Sequence, residues 1–245
     1  MKILVCITHV PDTTSKIAFV EGDMKFDKTD VQYIIGPYDD FTLARAVELK
    51  DQSQGEITVL NVGTVETELT IRKALAIGAD NAIRIDAEPL DAMFVAEQIA
   101  AVAKEGMYDL ILMGRESIDY NGGVVHGMVG ELLDMPSISP VIKLDIEGTT
   151  AKLEKAIDGG KQLMQVELPF VAGCQEPIAE WKIPNMRGIM QARSKPLEVK
   201  TIYKDDKGTT LVKHTLPVVK EGCKIIDADN VQELVDLLRN EAKVI

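Results

Sequence analysis

Short apolar runs alternate with amphipathic segments from the start of the chain to Pro136. Four runs are typical of buried strands, at Lys2–Thr8, Glu56–Val62, Asn81–Ile85 and Asp109–Met113. Four other segments carry apolar residues at helical spacing, around Leu43–Lys50, Ile71–Leu75, Ala92–Ala103 and Val125–Leu132. This alternation predicts an α/β fold with a doubly wound, mainly parallel sheet and helices on both faces.

The first of these helices is preceded by the tripeptide Tyr38-Asp39-Asp40. Aspartate carboxylates accept hydrogen bonds from the free N–H groups at a helix N-terminus. The sequence therefore predicts that this tripeptide caps the helix.

Beyond Pro136 the pattern changes to that of β-hairpins. Three short segments, Val141–Asp145, Ala151–Ile157 and Gln162–Leu168, are separated by turns that contain glycine, and Asp158-Gly159 favours a tight hairpin turn. They predict a β-meander. Near the end of the chain, Asn230 and Glu233 have the spacing of a capping box, which predicts a terminal helix.

Composition and charge exclude several classes of protein. The net charge of −12 argues against non-specific nucleic-acid binding, because phosphates attract Lys and Arg. No apolar run approaches the roughly 20 residues of a membrane span, so we expect no direct membrane insertion. Three widely spaced cysteines form neither a disulfide framework nor a zinc motif. We expect a reduced, cytoplasmic protein.

The segment Gly114–Gly127, GRESIDYNGGVVHG, is the strongest candidate for a binding site. It lies between a strand and a helix, where free N–H groups and the helix dipole attract anions. Its spacing matches neither a P-loop nor a dinucleotide fingerprint, and a tight turn without ligand explains the glycines equally well. Nucleotide binding is therefore one of two interpretations of this segment.

Candidates for catalysis or metal binding are weak. Cys6 and His9 lie three residues apart at a strand end, and strand geometry points their side chains to opposite faces. His126 can meet a phosphate near the predicted helix start, or it can be an ordinary surface histidine. We therefore expect no catalytic residue and no metal site.

A basic segment from Lys182 to Lys200 contrasts with the acidic chain around it. It also carries apolar residues on an irregular stretch, which is typical either of a solvated loop or of a docking surface. Methionines favour packing against more than one partner. The expected contact residues are Ile183, Pro184, Met186, Ile189 and Met190.

Seven segments, in order along nearly the full chain, resemble the small (beta) subunit of electron-transfer flavoproteins. They are VPDT at Val10–Thr13, GPYDD at Gly36–Asp40, RKALAIGAD at Arg72–Asp80, DLILMGRESID at Asp109–Asp119, LLDMP at Leu132–Pro136, KAIDGG at Lys155–Gly160 and IPNMRGIMQARSKPLEV at Ile183–Val199. Each segment alone is weak, whereas their order and spacing together are specific.

The resemblance implies a Rossmann-like fold of the adenine-nucleotide-binding type and an electron-carrier subunit without catalytic residues. The implied partner is the large (alpha) subunit, which holds most of the FAD site, while this subunit binds AMP structurally and completes the FAD environment. Electrons then arrive from flavin dehydrogenases such as acyl-CoA dehydrogenases, and leave to a quinone reductase or another acceptor. Two domains follow, a nucleotide-binding domain over residues 1–195 and a C-terminal extension over residues 196–245, whose arm and helix contact the partner.

The resemblance also assigns residues. Residue 183 and its neighbours correspond to the family's dehydrogenase-recognition loop. The implied nucleotide contacts are Cys6, Gly36, Pro37, Tyr38, Asp39, Val62, Gly114, Arg115, Glu116, Ser117, Ile118, Asp119, Tyr120, Asn121, Gly122, Gly123, Val124, Val125 and His126. Tyr38 can pack on an adenine, or it can belong to the core.

Two of these positions depart from the family pattern. Val124 stands where a Gln is common, and His126 stands where a Gly is common. The imidazole can replace a lost phosphate contact, or the site can bind its nucleotide differently. Three alternatives remain: an electron-bifurcating form with a second FAD, a stand-alone adenine-nucleotide-binding regulator, and an ATP-cleaving enzyme, although VPDTTSK replaces a pyrophosphate loop near the first strand.

Overall fold

The computed structural model describes residues 1–89, 91–205, 208–219 and 222–245. Its strands are β1 (Lys2–Cys6), β2 (His9–Pro11), β3 (Phe19–Val20), β4 (Lys25–Phe26), β5 (Tyr33–Ile35), β6 (Glu56–Val62), β7 (Asn81–Ile85), β8 (Leu110–Gly114), β9 (Ser137–Glu147), β10 (Thr150–Ile157), β11 (Gly160–Glu167), β12 (Phe170–Cys174) and β13 (Leu197–Lys200). Its helices are α1 (Pro37–Ser53), α2 (Glu68–Ile77), α3 (Ala92–Gly106), α4 (Val125–Leu133), α5 (Met186–Ala192) and α6 (Val231–Asn240), with a 3₁₀ turn at Val65–Thr67.

The main sheet has nine strands in the order β11-β10-β9-β12-β8-β1-β6-β7-β13. Every neighbouring pair from β9 to β13 is parallel, whereas β9, β10 and β11 form an antiparallel meander. The mainly parallel α/β sheet and the meander predicted from the sequence are both confirmed.

Helices cover both faces of this sheet. Buried residues of α1, α2 and α5 pack in one apolar cluster with side chains such as Ile3, Val5 and Leu112. Buried residues of α3 and α4 pack in a second cluster with Leu4 and Ile111. The two clusters use alternate residues of the same strands, as expected for parallel strands that are buried on both sides.

Strand β12 is absent from the sequence-based prediction, although it lies near the middle of the sheet between β9 and β8. All five of its residues are buried, so it shows no alternation of polar and apolar positions. A run this short cannot be distinguished by periodicity from the end of the meander. Strand β13 is also missing from the prediction because its four residues show no clear periodicity. It follows residue 195 and pairs with β7.

The start of α1 differs from the prediction. The helix begins at Pro37, its N-cap is Gly36, and no side chain caps it. Proline suits this first position because it has no N–H to leave unpaired. The predicted cap at Tyr38-Asp39-Asp40 is wrong because these residues lie within the first turn.

Contacts divide the chain into two units, Met1–Ile17 with Asp27–Val212, and Ala18–Phe26 with Lys213–Ile245. In the smaller unit, the ring of His214 stacks on Phe19 at 4.4 Å. Helix α6 begins with the predicted cap, since the side chain of Asn230 accepts from the N–H of Glu233. The division at residue 195 stays a prediction. Among the described residues, no helix combines the length and apolarity needed to cross a membrane.

Phe170 on β12 tests how strongly this central strand supports the sheet. Its side chain is fully buried, so Phe170→Ala should lower the free energy of unfolding by about 3–5 kcal/mol in urea titrations. The control is Leu163→Ala on β11, whose side chain is 75% exposed and whose loss should cost less than about 0.5 kcal/mol. Equal losses for the two variants would contradict the observed order of strands.

Candidate functional site

The strand order reverses at β1. The chain passes from β1 to β6 and β7 on one side, and β8 then returns to the other side of β1. In doubly wound sheets, ligands bind in the crevice beyond the carboxyl ends of the strands at this reversal. Here the crevice is bounded by Cys6 at the end of β1, by Gly114 at the end of β8, and by the start of α1.

A single carboxylate joins these three segments. Oδ2 of Asp39, in the first turn of α1, accepts from the N–H and the hydroxyl of Thr8, at 2.8 and 2.6 Å. Its Oδ1 accepts from the N–H of Gly114 at 2.8 Å. We call this set of bonds the Asp39 bridge. The carboxylate therefore fixes the end of β8 and the segment after β1 against the start of α1.

The Asp39 bridge explains two of the predicted glycines. A Cβ on Gly36 would lie 2.4 Å from the hydroxyl oxygen of Thr8, and a Cβ on Gly114 would lie 2.5 Å from Oδ1 of Asp39. Neither position has room for a side chain. Both glycines are thus required by the packing of the bridge itself.

Burial governs the electrostatics of the bridge. Asp39 is 3% exposed, and desolvation raises the pKa of its carboxyl to about 6. The hydrogen bonds from Thr8 and Gly114 favour the ionised form and act in the opposite direction. Burial also raises the pKa of the Cys6 thiol, with Asp39 as a second cause. Cys6 belongs to the apolar core, so only its backbone faces the crevice.

Tyr38 and Arg115 form the next part of the rim. The guanidinium of Arg115 lies over the Tyr38 ring, 5.2 Å from its centroid. The same side chain donates to Glu116 Oε1 at 2.7 Å and to Gln175 Oε1 at 3.0 Å. One face of the Tyr38 ring is therefore occupied by a cation and not free for an adenine.

The loop after β8 is held by its own polar groups. The N–H of Asn121 donates to the carbonyl of Ser117 at 2.8 Å, and the Ser117 hydroxyl donates to the Asp119 carboxylate. Asn121 and Gly123 both have positive φ, of 50° and 61°. Tyr120 is 73% exposed, and Glu116 and Ile118 are half-buried.

The end of this loop has the features of an anion site. Helix α4 begins at Val125 after Val124, and no side chain caps it. The N–H groups of its first turn are therefore available to a ligand. A Cβ on Gly127 would meet no atom within 4 Å, and a Cβ on Gly122 would meet only a Val124 methyl at 3.9 Å. An uncapped helix start of this kind can accept an anion.

His126 lies against the sheet. Its Cδ2 is 2.7 Å from where a Cβ of Gly173 would stand, and its Nδ1 is 3.4 Å from the Ser137 hydroxyl. Burial, as the largest cause, lowers the pKa of the imidazole below its usual 6.5. In the ligand-free chain, this burial favours the neutral form of the ring.

Other predicted site residues near this edge are packed or hydrogen-bonded within the fold. His9 stacks on Tyr33 at 4.3 Å, and its Nδ1 lies 2.7 Å from the Thr70 hydroxyl. Val62 is buried, as is Cys6. Within the described ranges, no group of three or more His, Cys, Asp or Glu side chains is placed to hold a metal ion.

The predicted contact residues around α5 are mostly exposed. Ile183, Met186 and Met190 are 76%, 74% and 69% exposed, Ile189 is also exposed, and Pro184 is half-buried. We call these five residues the docking surface. Of the nearby basic residues, Arg187 and Arg193 are exposed.

Two basic residues of the same segment are turned inward. The Lys195 amine donates to the carbonyls of Leu75 and Ala79, and the Lys200 amine pairs with Glu105 at 2.7 Å. The exposed cationic patch is thus smaller than the sequence indicates.

Comparison with known proteins identifies the family. A family model described as the electron transfer flavoprotein domain matches residues 23–205. A protein of Bacillus subtilis (strain 168) named electron transfer flavoprotein subunit beta is 34% identical, with both chains covered in full. Proteins with the same name from Bradyrhizobium diazoefficiens and Syntrophomonas wolfei are 32% and 31% identical, over all of this chain and 100% and 98% of theirs.

The chain belongs to the electron transfer flavoprotein beta-subunit family. The resemblance found in the seven sequence segments is thereby confirmed, and so are electron transfer and flavoprotein membership at the level of the family. The residues that bound the crevice in α1 and β8 lie within the matched range 23–205, whereas those of β1 precede it.

Three residues at the crevice of this family member are missed by reasoning from the sequence. Thr8 binds Asp39, Gln175 binds Arg115, and Gly173 makes room for His126. Thr8 is the last residue of the first predicted strand, Lys2–Thr8, which is a usable signal for a site at a strand end. Gly173 and Gln175 depend on recognising β12, and the apolar run FVAGC before Gln175 is its only signal.

The raised pKa of Asp39 predicts a pH-dependent stability. Between about pH 4 and pH 6 the native state holds a proton that the unfolded chain has lost, so this stabilisation decreases as pH rises through about 6. From about pH 4 to pH 7, the unfolding free energy of the unmodified protein should fall by about 3 kcal/mol relative to that of Asp39→Asn. Urea titrations at several pH values measure this difference.

The control for this experiment is Thr8→Val. It removes a bond that favours the ionised carboxylate, so the pH-dependent change should move to higher pH. If the difference in unfolding free energy between the unmodified protein and Asp39→Asn stays constant over the whole pH range, Asp39 does not titrate as described.

Proposed function

We propose that this chain is the small subunit of a heterodimeric electron-transfer flavoprotein. It accepts electrons, with its alpha partner, from flavin dehydrogenases of the acyl-CoA dehydrogenase type and passes them to a quinone reductase or another acceptor. The observation that carries this proposal is the full-length match to beta subunits, and the reversal of strand order at β1 supports it. The chain acts in the cytoplasm as a carrier subunit and not as an enzyme.

The proposed ligand of the crevice is AMP. The uncapped first turn of α4 and the free space around Gly122 and Gly127 support a phosphate there. Arg115 supplies a cation on the same rim, where it already bonds to Glu116 and Gln175. Backbone groups at the ends of β1 and β6 would hold the adenine, because the side chains of Cys6 and Val62 are buried.

In this proposal the residues of this chain position the bound nucleotide and shield the crevice. The Asp39 bridge keeps the walls of the crevice at a fixed separation, and the loop from Arg115 to Val124 covers its mouth. FAD, held mainly by the large subunit, supplies the redox chemistry when bound. The small subunit contributes part of the surface around it and the surface that dehydrogenases recognise.

The docking surface supports recognition of a dehydrogenase. Three apolar side chains there are more than two-thirds exposed in an otherwise acidic chain. Exposed Arg187 and Arg193 flank them. A partner with an apolar pocket and an acidic rim would complement this surface in both shape and charge.

The nucleotide content of the purified complex tests the crevice. Co-expression with the large subunit, denaturation and chromatography should yield one FAD and one AMP per pair. Two FAD would indicate the electron-bifurcating form, and one FAD alone would show that Val124 and His126 have abolished nucleotide binding. A stable single chain that binds adenylate but no large subunit would instead indicate a stand-alone regulator.

A charge variant locates the phosphate. Gly122→Asp places a carboxylate at the proposed phosphate position without a steric clash. AMP should bind about tenfold more weakly or worse, because unpaired like charges repel, while FAD content stays unchanged. Gly160→Asp is the control, since Gly160 also has free space and carries the same charge change on β11. Equal AMP retention in the two variants would exclude this phosphate position.

Ile183→Ala tests the docking surface. The complex should show a KM about tenfold higher as electron acceptor for an acyl-CoA dehydrogenase, because a central apolar contact is lost. The turnover number at saturation should stay the same. Leu163→Ala, an equally exposed apolar position on β11, serves as control. An unchanged KM for Ile183→Ala would place the recognition surface elsewhere.

A further inference from the structure

Helices α2 and α5 pack against each other, and a carbonyl in the last turn of each accepts a hydrogen bond from a cation of the other's segment. Nη1 of Arg72 on α2 donates to the carbonyls of Ala192 and Lys195, at 2.8 and 2.7 Å. In return, Nζ of Lys195 donates to the carbonyls of Leu75 and Ala79, at 2.9 and 2.6 Å. We call these four bonds the reciprocal caps.

Two of the reciprocal caps reach carbonyls in the last turns of the helices, at Ala192 in α5 and Leu75 in α2. The other two reach the carbonyls of Lys195 and Ala79, just beyond the helix ends. The last carbonyls of a helix have no partner within it, and cations stabilise them through the helix dipole. Helix α2 has no basic residue in its own last turn. Lys195 therefore supplies from outside the charge that α2 lacks.

Helix α5 depends on its neighbour more strongly. It has only seven residues, and a helix this short is not stable without external contacts. A Cβ on Gly188 would lie 2.4 Å from the carbonyl oxygen of Ala76, so the backbones of α5 and α2 are in direct contact. The side chain of Asn185 caps the other end by accepting from the N–H of Gly188 at 2.8 Å. The helix is thus fixed at both ends and at its middle.

We propose that Arg72 and Lys195 are positioning residues for partner recognition. Both side chains are half-buried, and their hydrogen bonds hold the segment that contains α5 against α2. Ile183, Met186 and Met190 of that segment are exposed. The reciprocal caps order α5 before any partner arrives, so its conformational entropy is not lost during binding. This inference rests on the proposed docking function of α5 and adds residues that act on the partner only through that helix.

The test uses the complete complex with the large subunit, and an acyl-CoA dehydrogenase as electron donor. Arg72→Gln should raise the KM for the complex about three- to tenfold, because two charge-assisted bonds are lost. The turnover number at saturation and the flavin absorption spectrum should not change. Backbone amides of α5 should exchange hydrogen faster, while those of β1 and β8 keep their protection.

The matched control is Lys73→Gln. It removes the same charge from the next residue of the same helix, but its amine pairs with Asp40 of α1 at 3.6 Å. Its KM should equal that of the unmodified complex. Lys195→Met breaks the other half of the reciprocal caps and should reproduce the effect of Arg72→Gln. This second variant keeps the inference testable if Arg72→Gln does not fold.

The outcomes separate the inference from the function on which it rests. If Ile183→Ala leaves the KM unchanged, the docking function itself is wrong. If Ile183→Ala raises the KM but Arg72→Gln and Lys195→Met behave like Lys73→Gln, docking stands and positioning is overturned. A fall in turnover number or flavin content together with the KM change would show a general structural role and would also overturn the inference.

Discussion

The Asp39 bridge is the constraint on which the crevice depends. The carboxyl ends of β1 and β8 lie side by side at one edge of the sheet. Here one buried carboxylate binds the segment after β1, the end of β8 and, through its own backbone, the start of α1. The lack of side chains at Gly36 and Gly114 follows from this arrangement. Desolvation of the carboxylate opposes its ionisation and raises its pKa to about 6, and three hydrogen bonds act in the opposite direction.

Both proposed functional regions of this electron transfer flavoprotein subunit involve the ends of helices. At the crevice, the first turn of α4 is left without a side-chain cap, so its N–H groups remain available to an anion. At the docking surface, the ends of α2 and α5 are capped by Arg72 and Lys195. In the proposal, the uncapped end binds a small charged ligand, and the capped ends hold α5 in one orientation.

The sequence predicts the local elements well because their signals are local. The bounds of β6 and β7 match the predicted runs, and the side chain of Asn230 caps the terminal helix as expected. The Asp39 bridge could not be predicted, since its partners lie 31 and 75 residues away in sequence. For the same reason Lys195 was expected on the surface, although a helix 120 residues earlier in the chain binds it. Side-chain direction depends on tertiary neighbours that periodicity does not report.

An experimental structure of the purified complex with the large subunit tests the central claim most directly. The account predicts an adenylate over the carboxyl ends of β1 and β8, with its phosphate at the first turn of α4 and Asp39 still bonded to Thr8 and Gly114. An adenylate bound elsewhere, or a crevice filled by the side chains of the loop after β8, would contradict it.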